Sequence, residues 1–389
     1  MPLRLLSFAW LACLALFPFV VGCKPGGTTV ENPSSEILIG HYASLTGPEA
    51  TFGKSTDNGV KLAVDEINAA GGFKGRKIKL ITYDDKSDAR EVNQAVTRLV
   101  TSDKVVAVIG EVASSLSLVA GPICQEYGVP MISPSSTNTK VTAVGDMVSR
   151  VCFIDPFQAY VCAKFARENE RVKASKAAIL FAQDQTYSVQ LREEFEKWFT
   201  QMGGVITSVQ THIKGDQDFS AQLTAIRATN PDVIFIPGYY TDVGNIAVQA
   251  RNLNITVPLL GGDGWDSDKL PEIAGKAIDG CYYSNHYSPE DPSPRVQEFL
   301  TKYKKEFGAT PDGLAALGYD AARILFEAME RSPDLKGENL AKAIAETKDF
   351  DGVTGKITID AQRNAVKPAV ILEMKDGQRK YVTTIEPIR

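Results

Sequence analysis

The sequence predicts an α/β protein built as two Rossmann-like halves. Three observations carry that expectation. Short apolar runs rich in β-branched residues alternate with segments of helical periodicity from Ile37 to Leu260, the order of parallel strands flanked by helices. The alternation restarts after Asp155-Pro156, which fits a second half better than one very wide sheet. A chain of 389 residues with 44% hydrophobic content also supplies two sizeable cores.

The N-terminal stretch reads as lying outside this fold. Arg4 precedes an apolar run from Leu5 to Val21, broken by Pro18, the pattern of a secretory signal. The run ends Val20-Val21-Gly22-Cys23, similar to a bacterial lipoprotein cleavage site, although Val20 stands where Leu is commoner. Residues 1–22 are expected to be a signal peptide and Cys23 the lipidated residue. Residues 23–36 form a polar, lipidated tether. A transmembrane anchor is the alternative, since the run is near the lower spanning length.

Residues 37–43 read as the first strand, ending in the loop from Ser44 to Pro48. Val60, Leu62, Ala63, Val64 and Ile67 then recur at helical spacing, and Gly71-Gly72 stop the helix. Residues 77–83 are the second strand. Asp84, Asp85, Ser87 and Asp88 open a helix to about Ser102, with carboxylates where the dipole favours them. Gly53-Lys54-Ser55 suggests a nucleotide-binding loop, but Pro48 stands where that loop needs a glycine.

Residues 105–138 are the most informative stretch. A strand over 105–109 leads through Gly110 to Ser114 and Ser115, which begin a helix reaching Glu126. A strand over 130–133 then ends in Ser135, Ser136 and Thr137. Both hydroxyl clusters fall at the carboxyl edge of a parallel sheet, where such sheets bind ligands. A helix start there attracts an anion without Lys or Arg. Strands follow at 148–153, 177–181, 205–210, 232–236, 258–260, 281–284 and 355–359. Helices are expected at 155–170, 188–202, 220–228, 242–253, 295–307, 313–330 and 339–347. A terminal hairpin turns at Asp376-Gly377.

Composition and motifs narrow the function. A net charge of −5 disfavours nucleic acid or an anionic membrane surface as partner. A hydrolase is disfavoured because His41, His212 and His286 are scattered, with neither H-E-x-x-H nor G-x-S-x-G. Cys124, Cys152, Cys162 and Cys281 allow three full pairings, and Cys124 equally suits a buried thiol.

The stretches IGHYASLTGPEATFG, DEINAAGGFKGRKIKLITYDD, IGEVASS, MISPSSTN, FAQDQTYS, DFSAQL, PGYYTDVG and GGDGW extend the argument. Together they resemble the periplasmic leucine/isoleucine/valine-binding proteins of ABC importers, from Ile39 to about Ile359. The resemblance implies the type I periplasmic binding protein fold: two Rossmann-like lobes, three interlobe crossovers and a ligand cleft with hinge closure. Crossovers are expected near 154–155, 285–287 and 360–361. The N-terminal lobe is then 37–154 plus 287–360, and the C-terminal lobe 155–286 plus 361–389.

By the same resemblance, Ser114 holds the ligand carboxylate and Thr137 contacts both carboxylate and ammonium. Ser135 offers its backbone carbonyl to the ammonium, and Asp263 stands where relatives often carry Glu for that charge. Tyr187 and Tyr239 face the cleft, while Phe52 and Leu314 line the side-chain pocket. Two departures stand out. Ser87 and Ala113 occupy the positions of a relative's disulfide, and Tyr240 adds a phenol beside Tyr239.

The implied function is a lipid-anchored, extracytoplasmic monomer that delivers an amino acid, branched-chain by default, to the importer's permease and ATPase subunits. No enzyme activity, cofactor, metal or nucleic acid is implied. The alternative is a ligand-sensing receptor component taking a related amide, urea-like compound or aromatic acid. A sensor would need a signalling segment, and none is read before Arg389.

Overall fold

The computed structural model describes residues 36–387, so the expected signal peptide and Cys23 lie outside the described residues. The first half is a five-stranded sheet. Its strands are β1 (Ile37–Ala43), β2 (Ile78–Asp84), β3 (Ala107–Ile109), β4 (Met131–Ser133) and β5 (Val148–Arg150). They lie in the order β2-β1-β3-β4-β5, all parallel. β1, a near-continuous apolar run, is almost wholly buried, as a central parallel strand covered on both faces must be.

The second half continues with β6 (Lys176–Ala182), β7 (Val205–His212), β8 (Val233–Phe235), β9 (Leu259–Gly261) and β10 (Cys281–Asn285). A small sheet follows, made of β11 (Phe350–Gly352), β12 (Gly355–Ile359) and β13 (Ala365–Val366). The last two strands are β14 (Ala369–Lys375) and β15 (Gln378–Ile385). The seven-stranded sheet runs β15-β14-β10-β9-β8-β6-β7, with β14 and β15 antiparallel at one edge. Asp376 and Gly377, at φ 51° and 72°, make the tight turn between them.

Chain connectivity interleaves the two halves. After β5 the helix Asp155–Glu168 carries the chain into the second sheet. After β10 the helices Pro294–Phe307 and Gly313–Arg331 return to the first half. There Gly313–Arg331 packs against Ala50–Ala69 so closely that the backbones nearly touch. A Cβ on Gly59 would lie 2.0 Å from the Ala315 carbonyl oxygen, and one on Gly318 would lie 2.5 Å from that of Thr56.

The third passage departs from expectation. Arg363 Nε donates to the Val148 carbonyl at 3.1 Å, and Thr142 Oγ1 donates to Asn364 Oδ1 at 2.8 Å. β13 pairs back on β12, whereas β14 pairs with β10. The chain therefore crosses between Val366 and Ala369, not at 360–361. Short β13 keeps the residues after Asp360 with the first half.

Cys124, Cys152, Cys162 and Cys281 are all free and buried, so none of the possible pairings forms. Burial pushes the thiols of Cys124, Cys152 and Cys162 up to about 12. They behave as small apolar side chains rather than reactive groups.

Candidate functional site

The carboxyl ends of β3 and β4 deliver the two hydroxyl clusters to one place, and a web of hydrogen bonds fixes them there. Glu111, wholly buried, accepts from the Ala113 N–H, and from the Ser44 N–H and hydroxyl at 3.2 and 3.1 Å. The hydroxyls of Ser133 and Ser136 both donate to the Glu111 carbonyl at 2.9 Å. Ser117 and Ser136 share a hydrogen bond of 2.7 Å, and buried Arg150 donates to the Ser136 carbonyl at 2.6 Å.

Ser114 is the first residue of the helix Ser114–Tyr127, and its hydroxyl accepts from the Asn138 N–H at 3.3 Å. In contrast, the Ser135 hydroxyl is buried with no hydrogen-bond partner, and the buried Thr137 hydroxyl faces the Asp155 carboxylate without a bond of good geometry. Buried polar atoms are rarely left so. Both residues line a small cavity of about 10 Å³.

The opposite wall of that cavity comes from the second sheet. Asp263 follows β9 and begins the turn Asp263–Trp265. Its Oδ1 accepts from Gln158 Nε2 at 2.8 Å and from the Tyr187 hydroxyl at 3.0 Å, while Oδ2 lies 2.9 Å from His286 Nε2. Tyr187 stacks on Tyr239 at 5.4 Å. Phe52 meets Tyr239 edge-on at 5.6 Å and Tyr240 at 4.9 Å.

Seven expected site residues thus line one cavity: Phe52, Ser135, Thr137, Tyr187, Tyr239, Asp263 and Leu314, together with Val112 and Gly264. Ser114 is not among the lining residues; it begins its helix and accepts from the N–H of Asn138, the residue after Thr137. Tyr240 is not part of the wall. It packs behind Phe52 and donates its hydroxyl to the Pro48 carbonyl at 2.8 Å, one tie between the halves. Others are Thr51 with Ser267 at 2.9 Å, the Gly313 N–H to Asp266 at 2.6 Å, and the Glu49–Lys214 ion pair.

Gln158, His286 and Asp155 were missed by sequence reasoning. Each sits where the chain passes between the sheets, so position relative to the strand ends was the available signal. Asp155 is wholly buried, and neither carboxylate oxygen has a partner of good geometry. Burial pushes its carboxyl well above the ordinary carboxylate range, and the negative charge of Asp263 adds to this. The Thr137 hydroxyl and the Arg150 guanidinium oppose the shift.

An acid whose folded value is raised favours the protonated form in the folded state. Its cost to stability is absent below the unfolded value and grows as pH rises toward the folded one. Asp155→Asn should therefore stabilise the ligand-free protein at about pH 8 and leave it nearly unchanged at about pH 3.5. Thermal unfolding at the two pH values checks this, and an equal shift at both would contradict it.

Comparison with known proteins gives the same fold. The model of the family described as periplasmic binding protein matches residues 36–379. The Leu/Ile/Val-binding protein homolog 2 of Brucella abortus (strain 2308) is 30% identical over 356 residues, covering 91% of this chain and 93% of that protein. The crystal structure of leucine-binding protein LivK from Thermotoga maritima MSB8 superposes with a TM-score of 0.86 at 39% identity. That match covers 90% of this chain and 99% of LivK. LivJ from Streptococcus pneumoniae, in complex with isoleucine, gives 0.86 at 32% identity over 91% of this chain and 100% of LivJ. With its two α/β halves joined by three strand passages around one cavity, the chain belongs to the periplasmic binding protein family and has the type I fold.

Proposed function

We propose that this chain is the extracytoplasmic substrate-binding protein of an ABC importer and binds a small amino acid between its lobes, one with a branched aliphatic side chain. The observation that carries this reading is the pairing of opposites within one cavity. The buried hydroxyls of Ser135 and Thr137, neither in a hydrogen bond of good geometry, stand on one wall and the Asp263 carboxylate on the other. A zwitterion leaves water at tolerable cost only where both of its charges find partners.

The ligand carboxylate goes to Thr137, Ser114 and the N–H groups at the start of the helix Ser114–Tyr127, where the dipole favours an anion. The ammonium goes to Asp263, with the Ser135 carbonyl as second acceptor. Phe52, Val112 and Leu314 receive the side chain, and Tyr187 and Tyr239 close over it. An aromatic acid without an ammonium would face Asp263 with like charge, so the amino acid is favoured. LivK and LivJ, the relatives at 39% and 32% identity, are named for leucine and branched-chain amino-acid binding, which supports the same class.

Neither wall holds both charges, so ligand bridging the lobes favours closure about the passages. His286 is committed to Asp263, and among the described residues neither the Ser135 nor the Thr137 hydroxyl is hydrogen-bonded to a histidine, which supports binding rather than turnover. We assign 37–154 with 287–366 to one lobe and 155–286 with 367–387 to the other. A lipid anchor at Cys23, action as a monomer and delivery to permease and ATPase subunits complete the reading.

Replacing Asp263 with Ala should weaken binding of leucine, isoleucine or valine by about 2–5 kcal/mol, as expected for loss of a buried charge partner. Isothermal titration measures this, and unchanged affinity would discard the site. Cys23→Ser should abolish labelling by a fatty-acid analogue in bacteria, and a labelled variant would refute the anchor.

A further inference from the structure

His286 lies at the second strand passage, immediately after β10, and is buried. Its Nε2 stands 2.9 Å from Asp263 Oδ2, so an imidazole that donates there carries its proton on Nε2. Its ring stacks on Phe153 at 3.8 Å and 22°, and Phe153 belongs to the first passage. The backbone is held as well. The His286 N–H donates to Asn285 Oδ1 at 2.7 Å, and Asn285 Nδ2 donates to Asp266 Oδ2 at 2.8 Å. That same oxygen accepts from the Gly313 N–H, which begins the helix carrying Leu314.

We propose that His286 is a positioning residue for ammonium recognition: it fixes the Asp263 carboxylate toward the cavity and ties it, through Phe153 and Asn285, to the passages on which the lobes hinge. The proposal rests on reading Asp263 as the ammonium partner.

The choice of side chain has a chemical logic. A Lys or Arg in this place would satisfy Asp263 and cancel its charge, removing the attraction for a ligand ammonium. A neutral imidazole, like the Gln158 amide and the Tyr187 hydroxyl, orients the carboxylate and leaves the charge in place. The charged groups acting on the ring are Asp263, Asp266 and Lys367. Burial outweighs the two carboxylates and pushes the imidazole down to about 4, so the ring is neutral at neutral pH.

Two variants separate donor from packing. His286→Phe keeps a ring on Phe153 and removes the donor, whereas His286→Gln keeps a donor and loses the ring. Titration with leucine should show His286→Phe weaker by at least about tenfold and His286→Gln within about threefold of the native protein. Native-like affinity in His286→Phe, or equal losses in both, would overturn the proposal. The native protein provides a test free of folding effects. Nitrogen-15 NMR of its histidines should show His286 as the Nε2–H tautomer, without titration between about pH 5.5 and 8. The other tautomer, or a midpoint in that range, would overturn it. If the native chain binds none of the three amino acids, the ammonium reading itself falls and this proposal with it. If it binds them and the variants fail to discriminate, only the His286 assignment falls.

Discussion

A carboxylate held out of water between two α/β lobes is the constraint around which this protein is arranged. Asp263 is 5% exposed, and an isolated buried charge would be prohibitively costly. Three donors from three segments meet it: Gln158 from the helix after the first passage, Tyr187 from the second lobe, and His286 from the second passage. Hydrogen bonds to a charged acceptor are among the stronger ones, so the carboxylate is stabilised and oriented together. None of these donors as placed brings a compensating positive charge. A carboxylate held in this way without a cationic partner fits the proposed role as acceptor for a ligand ammonium.

The facing wall follows the complementary rule. Its loops are held by a hydrogen-bond web through Glu111, Ser117, Ser133, Ser136 and Arg150. What that framework leaves over is two buried hydroxyls and a helix start. Such groups favour an anion but are neutral themselves, so they do not pair across the gap with Asp263 when the cleft is empty. The lobes would otherwise neutralise one another, and ligand would have to break a salt bridge to enter. Contacts that do cross the cleft, such as Tyr240 with Pro48 and Asp266 with Gly313, lie around the cavity and leave its charged centre free.

Much of this could be read from the chain before folding. Strand ends at Ile109 and Ser133 are set by β-branched runs followed by small residues, so the hydroxyl clusters could be placed on one sheet edge. Asp263 was expected only through the family resemblance, at the position where relatives often carry Glu, since an acid among glycines is by itself equally a turn former. Of its donors, Tyr187 was expected at the cleft by the same resemblance, whereas Gln158 and His286 were not, because they are distant in sequence and a lone His or Gln carries no local signal. The third passage was misplaced for a related reason. β13 is two residues long and owes its existence to pairing with β12, and no periodicity survives at that length. Thiol state was likewise a tertiary matter: the four cysteines could have paired, and only the structure shows that each is buried and free.

Asp263 as a charge trap is tested most directly by giving the native protein the same carbon skeleton with and without an amino group. Titration with leucine and with isocaproate, which lacks the ammonium, compares the two. Leucine should bind at least about a hundredfold more tightly, as expected when a buried charge is left without its partner. Equal affinities would contradict the account, because a pocket indifferent to the ammonium would not need a buried, undischarged carboxylate at its wall.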